Sequence, residues 1–83
     1  MTKLEQKLKE LGYVYNAYNK EYTKVYKDFW EFNIRIGELK IDGYICSSIE
    51  TDIYIERQED VDYYQHLFDM LQKDLEELKL CQN

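Results

Sequence analysis

The spacing of apolar residues divides the 83-residue chain into a short helix, a central run of strands and a long helix. Near the start, three leucines recur at helical spacing: Leu4, Leu8 and Leu11. Thr2 and Glu5 match the capping-box pattern at a helix start, and Gly12 can adopt the left-handed conformation that ends a helix. The sequence therefore predicts a first helix over about residues 2–12 with one narrow apolar side.

Strict alternation of apolar and polar residues predicts a half-buried strand over about residues 30–36. Its apolar side chains are Trp30, Phe32, Ile34 and Ile36. Gly37-Glu38 fits a two-residue turn into a further strand that continues through Leu39 to about Ser48, with Gly43 marking a bulge. Asp42-Gly43 is a rival turn signal, and we prefer the Gly37 turn because it leaves two strands of matched length.

Three less regular segments complete the predicted sheet. Residues 13–15 look extended, and residues 21–27 have a β-rich composition that predicts an edge strand. Ile53 and Ile55 predict a short fourth extended piece after a connection. We expect the strands to form one antiparallel sheet.

The last third of the chain predicts a long helix over about residues 59–81, with Asp60 as its N-cap. Its apolar residues repeat every seven positions: Val61, Phe68 and Leu75, with Tyr64, Leu71 and Leu78 three positions on. This stripe predicts the core-facing side of the helix. A homodimer seam along residues 61–78 is the alternative, because the stripe is long for three short strands to cover. The predicted class is α+β, in the order α-β-β-β-(β)-α, as one domain over residues 1–83 with both helices on one face of an antiparallel sheet.

The charge is unevenly distributed along the chain. The formal net charge is −6, but residues 1–37 hold seven Lys/Arg against five Asp/Glu, whereas residues 38–83 hold four against twelve. Phosphate-backbone binding needs clustered positive charge, so we expect no direct nucleic-acid binding. The longest apolar run is far too short to cross a bilayer and the first residues are hydrophilic, which favours a cytoplasmic protein without membrane partners.

The sequence offers few groups for catalysis. His66 is the one histidine, no glycine-rich phosphate loop is present, and no motif pairs a nucleophile with a base. Cys46 and Cys81 lack a CxxC partner, so we expect two free thiols, although a disulfide between them is conceivable. The acidic residues match no metal-binding pattern. We therefore expect no enzyme activity, no cofactor and no metal.

Acidic residues concentrate where the last strand is expected to meet the long helix. Six carboxylates fall within thirteen residues, opposed by Arg57 alone: Glu50, Asp52, Glu56, Glu59, Asp60 and Asp62. They either stabilise the helix start and solvate the surface, or they imitate phosphates and occupy the nucleic-acid site of a basic partner.

The chain also has nine tyrosines, more than a core of this size can bury. Tyrosine is favoured at binding surfaces because it combines a large contact area with a polar tip. Tyr54 and Tyr63 flank the acidic residues and are predicted contacts for the partner. The alternative is that tyrosine replaces phenylalanine on the open face of the sheet.

The opening Thr-Lys-Leu-Glu-Gln-Lys-Leu-Lys-Glu-Leu-Gly-Tyr (2–13), the central apolar hairpin and the closing Leu-Gln-Lys-Asp-Leu-Glu-Glu-Leu-Lys (71–79) resemble small proteins carried by phages and prophages of Gram-positive bacteria. Some small acidic phage proteins are anti-CRISPR proteins that bind a Cas effector and block its DNA site. The resemblance implies a protein-binding inhibitor of a host nucleic-acid-binding defence protein, in the host cytoplasm. The resemblance brings no binding motif with it, so the partner-binding residues are predicted from the acidic cluster and its flanking tyrosines: Glu50, Asp52, Tyr54, Glu56, Glu59, Asp60, Asp62 and Tyr63. The alternative is a homo-oligomeric structural or regulatory protein of a mobile element, without nucleic-acid mimicry.

Overall fold

The computed structural model describes residues 2–27, 29–47 and 56–81. The elements are α1 (Lys3–Glu10), β1 (Val14–Asn16), β2 (Glu21–Tyr26), β3 (Trp30–Ile36), β4 (Ile41–Ser47) and α2 (Gln58–Leu80). The four strands form one antiparallel sheet in the order β1-β2-β3-β4. The predicted α+β class is confirmed, and the extended piece predicted around Ile53 and Ile55 lies outside the described residues.

The first hairpin differs from the prediction. Residues 21–27 were expected to form an edge strand, but β2 is an inner strand because β1 pairs with it, from Val14 opposite Thr23 to Asn16 opposite Glu21. β1 is therefore the edge. Three residues are too few for alternation to identify a strand, which explains why the sequence indicated only an extended segment there.

The hairpin between β3 and β4 turns near Gly37, as predicted, but its loop has four residues rather than two. Ile36 pairs with Ile41, and the backbone N–H of Gly37 donates to the carbonyl oxygen of Lys40 at 2.9 Å. Leu39 does not continue the apolar face of the strand, since it lies in this loop and is 99% exposed.

The Asp42-Gly43 dipeptide lies within β4, so the rival turn is excluded. Gly43 is in unbroken register opposite Ile34, and the predicted bulge is absent. A Cβ atom at Gly43 would lie 2.9 Å from the carbonyl oxygen of Asn33 and 3.3 Å from Cδ1 of Leu71. Glycine is needed there because a side chain would clash with the backbone of β3 and press on Leu71 of α2.

Both helices pack on one face of the sheet and share one core with it. Thr2 Oγ1 accepts from the backbone N–H of Glu5 at 3.1 Å, and Gly12 has a φ of +97°, so both predicted ends of α1 are confirmed. The buried apolar side chains of the core are Leu8, Tyr13, Trp30, Phe32, Ile34, Ile41, Leu67, Leu71, Leu75 and Leu78. This core holds α2 along the sheet with one side inward.

Two of the six residues of the predicted stripe on α2 lie outside the core, and Tyr64 is half-buried against it. Leu71, Leu75 and Leu78 are buried, but Val61 is 44% and Phe68 57% exposed. A strict seven-residue repeat drifts by about 20° per heptad around a straight helix, so its early members leave the core side. Leu67, which is not part of the stripe, is buried on the side that faces the sheet.

Within residues 2–27, 29–47 and 56–81, no helix is both long and apolar enough to cross a membrane. Cys46 and Cys81 are free thiols, as predicted. Cys46 lies in β4 and is half-buried on the sheet face opposite the helices. Burial and a hydrogen bond to Glu31 raise the pKa of its thiol, so the reactive thiolate is disfavoured.

Candidate functional site

The predicted partner-binding residues fall into two groups. Glu50, Asp52 and Tyr54 lie outside the described residues. The other five lie just before α2 or in its first two turns: Glu56, Glu59, Asp60, Asp62 and Tyr63. The structure brings these five to one end of α2 but gives them different roles.

Asp60 stabilises the helix start from inside the first turn. The helix begins at Gln58 and Arg57 is its N-cap, so the predicted cap at Asp60 is wrong by three positions. From the third helical position, Oδ2 of Asp60 accepts from the backbone N–H groups of Glu56 at 3.2 Å and Arg57 at 3.1 Å. This is the backward reach of an acid in a capping box. The two hydrogen bonds lower the pKa of Asp60, and its carboxylate is committed to the helix start.

Two further members of the predicted site are partly engaged. Arg57 lies 3.6 Å from a carboxylate oxygen of Glu59 and 3.5 Å from one of Asp60. The ring of Tyr63 is half-buried and packs with those of Trp30 and Tyr64, with centroid separations of 6.5 and 5.6 Å. Tyr63 therefore contributes to packing at this end of the core.

The rest of α2 continues the acidic surface in a way that sequence reasoning missed. Three successive heptads repeat the pattern Gln-x-x-apolar-acid: Gln58, Val61 and Asp62; Gln65, Phe68 and Asp69; Gln72, Leu75 and Glu76. Every glutamine and acid of this repeat is exposed. The repeat is visible in the sequence, where its apolar positions indicate the stripe and its glutamines and acids follow the same spacing.

Hydrogen bonds order the first two heptads of this repeat. Gln58 Nε2 donates to Oδ1 of Asp62 at 3.0 Å, and Gln65 Nε2 donates to Oδ1 of Asp69 at 2.8 Å. Each bond joins positions i and i+4 on one side of the helix. Each of the two carboxylates therefore has a neutral hydrogen-bond partner on its own helix.

The repeat produces three parallel rows along α2. With 3.6 residues per turn, the glutamine row lies between the apolar row and the acidic row, and each row advances about 10.5 Å per heptad. We name as the outward face the exposed members of these rows: Gln58, Val61, Asp62, Gln65, Phe68, Asp69, Gln72 and Glu76. The helix as a whole carries seven acids against two lysines, so the field at this face is negative.

The opposite side of α2 carries a different acidic residue, also missed from the sequence. Asp74 is 8% exposed, and its Oδ2 accepts from Nζ of Lys24 at 2.6 Å and from the hydroxyl of Tyr13 at 2.8 Å. Nζ of Lys24 also lies 4.6 Å from the centre of the Tyr13 ring. Lys24 and Asp74 are 50 residues apart, and nothing in the local pattern separates Asp74 from the surface acids around it.

This buried cluster has the character of a structural link between β2 and α2. Burial and the hydrogen bond to Asp74 raise the pKa of Tyr13, so its hydroxyl stays protonated. The adjoining depression, about 320 Å³, is lined in part by Leu11 and Met70. Because the amine of Lys24 is paired with Asp74, the cluster offers no free base or nucleophile.

The metal-ligating side chains of residues 2–27, 29–47 and 56–81 are not grouped as a metal site requires. No three His, Cys, Asp or Glu side chains there come together as a metal site. His66 is exposed on α2, one residue after Gln65.

Comparisons with protein-family models, with curated proteins and with solved structures found no match to this chain. Function must therefore be inferred from the side chains themselves, and the outward face of α2 is the surface with the most regular chemistry.

Proposed function

We propose that the protein is a non-catalytic binding domain that recognises a positively charged surface of another protein through the outward face of α2. The observation that carries this proposal is the repeated row of exposed carboxylates at Asp62, Asp69 and Glu76. Two of them are held by glutamine side chains rather than neutralised by lysine or arginine. Their charge is therefore available to a partner.

The charge distribution favours a basic protein partner over nucleic acid. A net charge of −6 repels phosphates, whereas it attracts a surface rich in Lys and Arg and speeds association with it. Charge-assisted hydrogen bonds from such a surface to the acidic row would give specificity as well as attraction. Binding of this type weakens as salt screens the exposed charges.

We further propose that the partner is a nucleic-acid-binding defence protein and that the chain inhibits it, in the manner of an anti-CRISPR protein. The acidic face would compete with phosphates for a basic groove. Its charges recur about every 10.5 Å along α2, whereas each DNA strand carries one charge per about 3.4 Å of helix axis. This difference in spacing supports an acidic face that blocks the basic groove, rather than one whose carboxylates take the place of individual phosphates. Glu56 and Glu59, both exposed, add acidic charge at the start of the same helix.

The alternative of a homo-oligomer has one observation in its favour, the exposure of Val61 and Phe68. Two copies that met through these residues would also bring their acidic rows together. Like charges at such short range oppose association. Light scattering over a range of concentrations tests this alternative, and we expect a monomer.

Affinity capture from a bacterial lysate, at low and at high salt, tests the proposed function. The bait is wild type or a triple variant with Asp62→Lys, Asp69→Lys and Glu76→Lys. We expect wild type to retain a basic, nucleic-acid-binding protein at low salt, to release it at high salt, and to inhibit its nucleic-acid binding in a purified assay. The triple variant should neither retain this protein at low salt nor inhibit its nucleic-acid binding.

The matched control for charge reversal is Glu38→Lys, in the exposed loop between β3 and β4. This substitution changes the charge of one position as much as each substitution of the triple variant does, but at a position outside α2. The control should behave as wild type. Retention of the same protein by wild type and the triple variant would contradict the proposed function.

A further inference from the structure

We propose that the element that docks on the outward face is a positively charged amphipathic α-helix of the partner. This inference rests on the proposed function and deepens it by specifying the shape of the partner. It depends on three observations: the spacing of the rows, the exposed apolar side chains beside them, and the sign of the charge.

The spacing matches a helix better than other binding elements. The rows of the outward face recur every seven residues, an advance of about 10.5 Å. A second helix laid alongside presents its own side chains at the same interval, so each heptad can meet one heptad of the partner. An extended strand repeats its side chains on one face about every 6.8 Å. Because this spacing differs from that of the rows, a strand that contacts one heptad would not be aligned with the next.

The apolar row supplies the anchor that a charged surface alone lacks. Phe68 is 57% and Val61 44% exposed, and each directly precedes a carboxylate of the acidic row. An aromatic side chain near the middle of a contact is typical of the residues that dominate binding energy. An apolar residue of the partner helix would cover Phe68 while a neighbouring Lys or Arg reaches Asp69.

The charge excludes a second copy of this chain as the favoured occupant. The copy would present the same outward face, with its own acids at Asp62, Asp69 and Glu76. A helix with Lys or Arg at the facing heptad positions gives attraction instead of repulsion. The three heptads from Gln58 to Leu78 set its length at about six turns.

Two synthetic 21-residue peptides of identical composition test this inference. In the first, Lys and Leu follow a seven-residue repeat that forms an amphipathic helix; in the second, the same residues are rearranged without that repeat. Fluorescence anisotropy at about 20 mM salt measures both affinities, since screening is weak there. We expect the first peptide to bind at least about tenfold more tightly, a difference of about 1.4 kcal/mol.

Three single variants locate the contact with the first peptide. Phe68→Ser should weaken binding about tenfold by removing the anchor. Asp69→Lys should weaken it at least as much and reduce its salt dependence. Glu38→Lys, the matched control outside α2, should leave the affinity within about twofold of wild type, because Glu38 is not part of the outward face.

The outcomes separate this inference from the proposed function. Equal binding of both peptides, with sensitivity to Asp69→Lys, would overturn the partner helix and leave recognition of a basic surface standing. Absence of binding by either peptide, or binding unaffected by Asp69→Lys, would overturn both. A dimer in sedimentation that Phe68→Ser dissociates would also overturn the inference, because a second copy would then occupy the face.

Discussion

Asp69 and Asp74 lie five residues apart on α2 and have opposite surroundings. Asp74 is buried, and it accepts from Lys24 and Tyr13. Asp69 is exposed, and its described partner is Gln65 on the same helix. The difference shows that the role of an acidic residue depends on the side of the helix on which it lies. Asp74, on the inward side, links α2 to β2, whereas the charge of Asp69, on the outward side, is accessible to a partner.

The adjacent residues Leu67 and Phe68 give the strongest test of this division. Leu67 is 1% exposed in the core, so Leu67→Ala should lower the free energy of unfolding by about 3 kcal/mol through lost burial and the cavity left behind. Phe68→Ala should cost less than about 1 kcal/mol because most of the ring already contacts solvent. Urea denaturation measures both. Equal losses would show that Phe68 belongs to the core after all.

The two aspartates should differ nearly as much. Asp74→Ala leaves the amine of Lys24 without its carboxylate and should cost about 3 kcal/mol. Asp69→Ala should cost about 0.5 kcal/mol or less, since it removes one exposed hydrogen bond. The double variant Lys24→Met with Asp74→Leu should recover much of the loss, because it removes both charges together. A double variant as unstable as Asp74→Ala would contradict this account of the buried pair.

Tyr13 gives a smaller, pH-dependent effect on the inward side. At neutral pH, Tyr13→Phe should cost about 1.5 kcal/mol by removing the hydrogen bond to Asp74. The folded pKa of Tyr13 is raised above its ordinary value of 10.0, so its contribution is fully present below pH 10 and is lost as the pH rises further. The gap between wild type and Tyr13→Phe in urea denaturation should therefore narrow above pH 10. A constant gap up to pH 11.5 would contradict the assignment.

Asp60 gives the smallest effect and tests the helix start. Its pKa is lowered by hydrogen bonds from the backbone of Glu56 and Arg57. Its contribution is therefore present above the ordinary value of 3.8 and is lost as the pH falls through the lowered pKa. Wild type should be more stable than Asp60→Asn at pH 7, and the two should converge as the pH falls to 2, as measured by thermal denaturation. If the difference persists at pH 2, the charge of Asp60 is not its cause.

Local patterns predicted much of the fold. The alternation from Trp30 to Ile36, the cap at Thr2 and the end of α1 at Gly12 are all properties of neighbouring residues, and each was confirmed. The four-residue loop between β3 and β4 was missed because Gly37-Glu38 carries the signal of a two-residue turn, whereas the observed register pairs Ile36 with Ile41. The close approach of α2 to Gly43 was missed as well. That approach is a long-range contact without a local signal.

The candidate site was predictable only in part. An acidic surface at the start of α2 could be read from composition, but Asp60 and Tyr63 have structural roles there that composition does not reveal. The three-heptad repeat was visible in the sequence, yet whether Phe68 faces the core or solvent depends on how the helix lies on the sheet. The Lys24–Asp74 pair needed the structure, because it joins positions 50 residues apart.

The most direct test of the central claim is an NMR titration of the ¹⁵N-labelled protein with the helical Lys/Leu peptide. The account predicts that the largest amide shifts follow the outward face, at Val61, Gln65, Phe68 and Asp69. It predicts small shifts on the sheet face opposite the helices, at Arg35 and Tyr44. Largest shifts at Arg35 and Tyr44, with the outward face unperturbed, would contradict the claim that α2 is the binding surface.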